Sequence, residues 1–168
     1  IIFGCGPGSY TGIRITAGVV QGISYGLDIP VVPVSSLEAI AYSFIEENFL
    51  SIKEGDKILA SIFARSDEYF LGGYEWKSGS LEPILKEKLV SAGDSFPLPH
   101  GVWFGIADTS EFRDRIKIIT GVETQTFIVK EYYSASSILE IGKTKMKAGK
   151  LLESSSAIPK YLKEVVVG

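Results

Sequence analysis

An apolar entry, Ile1-Ile2-Phe3, runs into the glycine-rich stretch Gly4-Cys5-Gly6-Pro7-Gly8-Ser9. From there the chain passes into residues 11–26, where Arg14 is the only charge. This pattern predicts a strand, a tight turn and a helix of about 24 Å at ~1.5 Å per residue. A helix without a charged face is buried on more than one side. Gly18 and Gly22 inside it each cost about 1 kcal/mol relative to Ala, a cost that close packing must offset. Arg14, Gly18, Gly22 and Gly26 recur every fourth position as a nearly flat stripe on which another helix can lie close, while Ile13 and Val20 take the opposite side. The cover is expected from a preceding helix or from a partner chain, so these four residues are the candidate partner interface.

Further along, Ile29-Pro30-Val31-Val32-Pro33-Val34 reads as a short strand with prolines marking its ends. Ser35 with Glu38 three positions later predicts a capping box and a helix to about Asn48. Gly55-Asp56 turns the chain into a second region. There, residues 58–64 and 69–76 read as a hairpin around Arg65-Ser66-Asp67-Glu68, and a third strand follows the turn Lys77-Ser78-Gly79-Ser80. Residues 87–92 are expected as a short helix, and His100 falls in a proline-rich loop. Residues 102–107 read as a buried strand whose end, Asp108-Thr109-Ser110, predicts an N-cap by Asp108. Another strand is expected at 127–129. A last helix is capped by Ser134, with Ile138, Leu139, Ile141 and Met146 inward, and an extended segment around Pro159 follows.

Composition narrows the function. The 168 residues are 45% hydrophobic and 22% charged, an ordinary globular balance. No apolar stretch reaches the roughly 18 to 20 residues of a bilayer span, and no signal-peptide pattern is present, so the cytoplasm is the expected location. One Cys5 and one His100 supply neither a disulfide within the chain nor a Cys/His metal site. Cys5 reads as a small buried thiol and His100 as an exposed loop residue. The net charge of −3 speaks against a free-standing nucleic-acid binder. A basic tail is the local exception: Lys143, Lys145, Lys147, Lys150, Lys160 and Lys163 against Glu153 and Glu164 carry +4. Lysines complementing a helix C-terminus are the plainer reading.

The motif loop Gly6, Pro7, Gly8, Ser9, Tyr10, Thr11, Gly12 matches no familiar reactive pattern. A P-loop needs Lys-Ser or Lys-Thr after its last glycine, where Ile13-Arg14 stands here. A nucleophile elbow needs glycines two positions either side of the serine, and Ser9 has Pro7 and Thr11. The loop is expected to support the helix start, with Ser9 or Thr11 as N-cap. Its free amides would also suit an anion.

The string Gly6-Pro7-Gly8-Ser9-Tyr10-Thr11-Gly12-Ile13-Arg14 closely resembles the signature of the TsaB (YeaZ) family. That family is a bacterial partner in making threonylcarbamoyladenosine beside the tRNA anticodon. The similarity continues through Val34-Ser35-Ser36-Leu37, Ala64-Arg65 with Glu68-Tyr69-Phe70, and Pro159-Lys160-Tyr161-Leu162-Lys163. One departure is Phe63, where the family has Asp before Ala-Arg. Arg65 with Glu68 reads as a turn-stabilising pair.

Hairpin strands followed by alternating strand and helix suggest an α/β ribonuclease H-like arrangement, and the resemblance implies the two-lobed actin, sugar-kinase and Hsp70 fold. Residues 1–52 would then be the remainder of an N-terminal lobe, incomplete here, and 53–168 a C-terminal lobe. Ile1 falls inside an expected strand, which favours a partial record of a longer protein.

The parts of an enzyme are missing: no convergent nucleophile, base and acid can be assembled around a single histidine. The resemblance implies a non-catalytic partner. It would pair with a metal- and ATP-binding TsaD-like paralogue through N-terminal lobe helices, with a TsaE-like ATPase joining, homodimers forming when it is alone, and tRNA engaged through the complex. No metal or cofactor is expected on this chain alone, with ATP at the junction of the complex left open. The alternative is an autonomous nucleotide-binding ATPase or kinase of the same fold. A bare RNA-binding module using the lysine tail is the third reading.

Overall fold

The computed structural model describes residues 1–91 and 93–162. The chain opens with strand β1 (Ile2–Gly6), helix α1 (Tyr10–Leu27) and strand β2 (Val32–Ser35). The two strands pair in parallel, with Ile2 opposite Val32 and Gly4 opposite Val34. Parallel strands cannot be joined by a tight turn, and α1 supplies the crossover. Phe3 and Cys5 point to one face of this pair, where they pack with Val20, Val31 and Ala157. Ile2 and Val34 point to the other face, toward Ile138 and Ile141.

Helix α2 (Ser36–Asn48) begins at Ser35, whose hydroxyl accepts the Leu37 amide at 3.2 Å. Glu38 does not close the expected capping box; its carboxylate meets Lys145 Nζ at 2.5 Å instead. Leu37, Ile40, Ala41, Phe44 and Ile45 form the helix's buried stripe.

Beyond a turn at Gly55, strands β3 (Lys57–Arg65), β4 (Glu68–Lys77), β5 (Ser80–Ser91), β6 (Trp103–Ala107) and β7 (Phe127–Val129) form one mixed sheet in the order β5-β4-β3-β6-β7. β3, β4 and β5 are antiparallel neighbours, while β6 and β7 run parallel to β3. Ser78 and Gly79 both take positive φ in the β4–β5 turn, as a tight two-residue hairpin requires. Strand alternation sends Ile58 and Ala60 toward α2 and Leu59 toward helix α3 (Phe112–Thr120), so β3 is covered on both faces. Helix α4 (Ala135–Lys147) returns to pack on β1, β2 and α2. Among the described residues no helix is long and apolar enough to cross a membrane.

Three further expectations are corrected. Residues 87–91 are strand, not helix: β5 continues past Glu87 with Leu89 opposite Phe70 and Val90 opposite Tyr69, Val90 being buried in the core. A ten-residue β4 offers more ladder than a single helical turn could repay. Ala92, the end of that expected helix, lies outside the described residues. Asp108 does not cap α3, which starts at Phe112 after Glu111 without a side-chain cap. Leu139 and Met146 are 44% and 46% exposed, because the inward stripe of α4 runs through Ile138, Ile141 and Gly142.

Candidate partner face and motif cleft

Ser9 is the N-cap of α1, its hydroxyl accepting the Gly12 amide at 3.3 Å. At about 100° per residue, Ile13, Ala17, Val20 and Ser24 fall on one stripe, and Ala17, Val20 and Ser24 are buried. Gly18, Gly22 and Gly26 lie on the opposite side, exposed, with no atom of the described residues within 4 Å of where a Cβ would stand. Beside them Ile15, Val19 and Ile23 are 62%, 56% and 48% exposed, and Tyr25 and Leu27 are exposed too. Contiguous apolar surface of this kind marks interaction sites. The expectation of burial on more than one side therefore meets a helix covered on one side only within the described residues.

A step of four residues drifts by about 40°, which puts Arg14 at the flank of the glycine stripe rather than on it. Its guanidinium lies 3.7 Å from the Tyr10 ring centroid, and Nε donates to Tyr161 Oη at 2.7 Å. Both aromatic groups stand at the edge of a cleft of about 450 Å³, where three separated motifs meet. The loop contributes Pro7, Gly8, Ser9 and Tyr10; the β3–β4 hairpin contributes Phe63, Arg65 and Glu68; the C-terminal segment contributes Lys160, Tyr161 and Leu162. Gly6 takes φ +102°, and a Cβ there would press on Lys160 O and Ile13 Cγ2 at 3.3 Å, so the turn needs glycine.

Arg65 Nε donates to Glu68 Oε2 at 2.6 Å, the turn pair expected from sequence. The Phe63 amide donates to Asp108 Oδ1 at 2.8 Å. Burial raises the Asp108 carboxyl above its ordinary value, against the lowering pull of the Phe63, Asp108 and Thr109 amides.

A larger cleft of about 840 Å³ lies between β2, α4 and β5, and sequence reading missed it. Its walls hold two ion pairs, Glu38 with Lys145 and Glu87 with Lys160 at 3.0 Å, and the Tyr74 hydroxyl donates to Glu87 Oε1 at 2.8 Å. The residues are scattered over the chain, and no local pattern marks them. Cys5 lines this cleft as a buried thiol, pushed up by burial against the lowering charges of Lys160 and Lys145. His100 is exposed in its loop.

The basic tail is largely spoken for. Lys143 pairs with Glu140, Lys145 with Glu38 and Lys160 with Glu87, while Lys145 and Lys147 sit in the last turn of α4. Lys163 and Glu164 lie outside the described residues.

A mixed α/β chain with this topology matches a family profile described as TsaD, tRNA N6-adenosine threonylcarbamoyltransferase, over residues 1–160. The curated relatives and solved structures narrow this, and the chain belongs to the TsaB (YeaZ) family. It is 30% identical over 171 residues to the tRNA threonylcarbamoyladenosine biosynthesis protein TsaB of Bacillus subtilis, covering 97% of this chain and 69% of that protein. To the protein of the same name from Haemophilus influenzae it is 40% identical over 70 residues, which are 42% of this chain and 28% of the relative. The chain thus spans well under half of the Haemophilus protein and about two thirds of the Bacillus one. The structure of YeaZ from Pseudomonas aeruginosa superposes with a TM-score of 0.81 at 28% identity, covering 95% of this chain and 72% of that one.

Proposed function

We propose that this chain is a non-catalytic scaffold subunit in the biosynthesis of threonylcarbamoyladenosine on tRNA. The relatives named for that pathway support the process. The observation that carries the role is the unpartnered apolar side of α1, with Gly18, Gly22 and Gly26 diametrically opposite the buried stripe. Small residues let a second helix approach closely, and the flanking Ile15, Val19 and Ile23 supply the apolar area such an approach would bury. In this reading the partner is a TsaD-like catalytic paralogue, the protein pairs with itself when alone, a TsaE-like ATPase joins the pair, and tRNA is engaged by the complex. The two sheets are then the cores of two ribonuclease H-like lobes. The motif loop serves chiefly to seat the first turn of α1, with the subunit junction as the place for nucleotide.

Sedimentation of the full-length protein, alone and mixed with its TsaD-like paralogue, with and without ATP, tests this. A heterodimer replacing a homodimer is the expected result. No association under any condition would overturn the scaffold reading and turn attention to an autonomous nucleotide-binding ATPase, tested by titrating ATP into the isolated protein.

A further inference from the structure

The C-terminal segment crosses the molecule between its two sheets. Ala157 is buried with Phe3, Cys5 and Val20 on one side, and Leu162 packs against the core that holds Ile58 and Ile106 on the other. Between them the Lys160 amide donates to Cys5 O at 2.8 Å at the end of β1, and Lys160 Nζ pairs with Glu87 of β5. The next residue, Tyr161, accepts from Arg14 Nε, and its ring stands 6.1 Å from the Tyr10 ring. One short segment is thus anchored to both sheets and to the first turns of α1.

We infer that Tyr161 is a positioning residue: through Arg14 it clasps the N-terminal turns of α1 and so presets the helix face offered to a partner. Those turns need an external hold. Ser9 caps a single amide, no acidic side chain stands in the first turn, and one long side of the helix is unpacked. A helix start held in one geometry costs less to order on docking than a frayed one. Arg14 serves the clasp well, because its planar guanidinium stacks on Tyr10 while its Nε–H reaches Tyr161.

Two measurements on the full-length protein decide this. Tyr161→Phe keeps the ring and removes only the acceptor, so the fold survives. Amide hydrogen exchange at residues 14–17 of the variant alone is expected to quicken about three- to tenfold, as loss of one exposed hydrogen bond allows. Unchanged exchange there overturns the clasp. The second measurement rests on the scaffold reading: affinity for the TsaD-like paralogue in wild type, Tyr161→Phe, Arg14→Ala and the double variant. If Tyr161 acts through Arg14, its several-fold loss of affinity disappears in the Arg14→Ala background. A loss that persists there means Tyr161 touches the partner itself, which also overturns the inference. Wild-type protein that binds neither the paralogue nor itself would defeat the scaffold reading alone, and exchange would still decide the clasp.

Discussion

Asp108 and Phe63 are joined across 45 positions of chain, the carboxylate of one accepting the backbone amide of the other at 2.8 Å. The bond links the ends of the parallel neighbours β3 and β6, where Ser61 stands opposite Ala107. Asp108 stands three positions before Glu111, the residue that precedes α3, so its carboxylate serves the adjacent strand and not the helix start.

Burial raises the folded-state pKa of Asp108 above 3.8. The native protein therefore holds its proton more tightly than the unfolded chain, and this contribution to stability is lost as pH rises through the window above about 4. Asp108→Asn, which keeps an acceptor for Phe63, is expected to be at least as stable as wild type at pH 7, with the difference shrinking toward pH 3. Urea unfolding at the two pH values checks it; an Asn variant clearly weaker at pH 7 would contradict the assignment.

Gly18→Leu and Gly22→Leu separate folding from association. Among the described residues neither site has an atom within 4 Å of a new Cβ, and replacing a mid-helix glycine by a good helix former stabilises by about 1 kcal/mol. The isolated variants should melt at or above the wild-type temperature, while partner affinity in sedimentation falls at least tenfold. Unchanged pairing would remove the glycine stripe from the interface.

Gly142 is a contrasting helical glycine. A Cβ there would fall inside the van der Waals envelope of Ile2 Cγ2, so α4 approaches β1 as closely as it does only because the residue is glycine. Gly142→Ala is expected to destabilise by about 1–3 kcal/mol, and Gly142→Ala combined with Ile2→Ala, which removes the γ carbons the new methyl meets, should cost less than the sum of the two single variants. Denaturant midpoints of the single and double variants measure both effects.

Alkaline pH should weaken the fold through two buried acids. Cys5 is raised above 9.0, first by burial, and Tyr74 well above 10.0, by burial and then by the Glu87 charge and hydrogen bond. Both stay protonated in the native state after they would ionise in the unfolded chain, so their contribution to stability is level below about pH 9 and declines above it. Cys5→Ala should flatten the first part of that decline in thermal melts taken from pH 8 to 10. The native thiol should also alkylate far more slowly than the denatured one at pH 8.

Local chemistry is written in the sequence. Ser9, Ser35 and Ser134 cap their helices as their positions imply, the Arg65–Glu68 turn forms, and the strands at 57–65, 68–77 and 103–107 fall where alternation or apolar runs place them. Those features depend on neighbours a few positions apart, so propensity and period suffice. The motif string also carried the family, because it is specific as a string. Pairings over tens of residues depended on the tertiary structure. It drew β5 out along β4, gave Asp108 to Phe63 rather than to a helix end, and gave Glu38 to Lys145 rather than to its own cap. It also turned Leu139 and Met146 outward and brought the loop, the hairpin and the C-terminal segment to one cleft. A polar side chain takes whichever donor or acceptor the packed fold sets within reach, and for these residues that partner stands on another element of the fold.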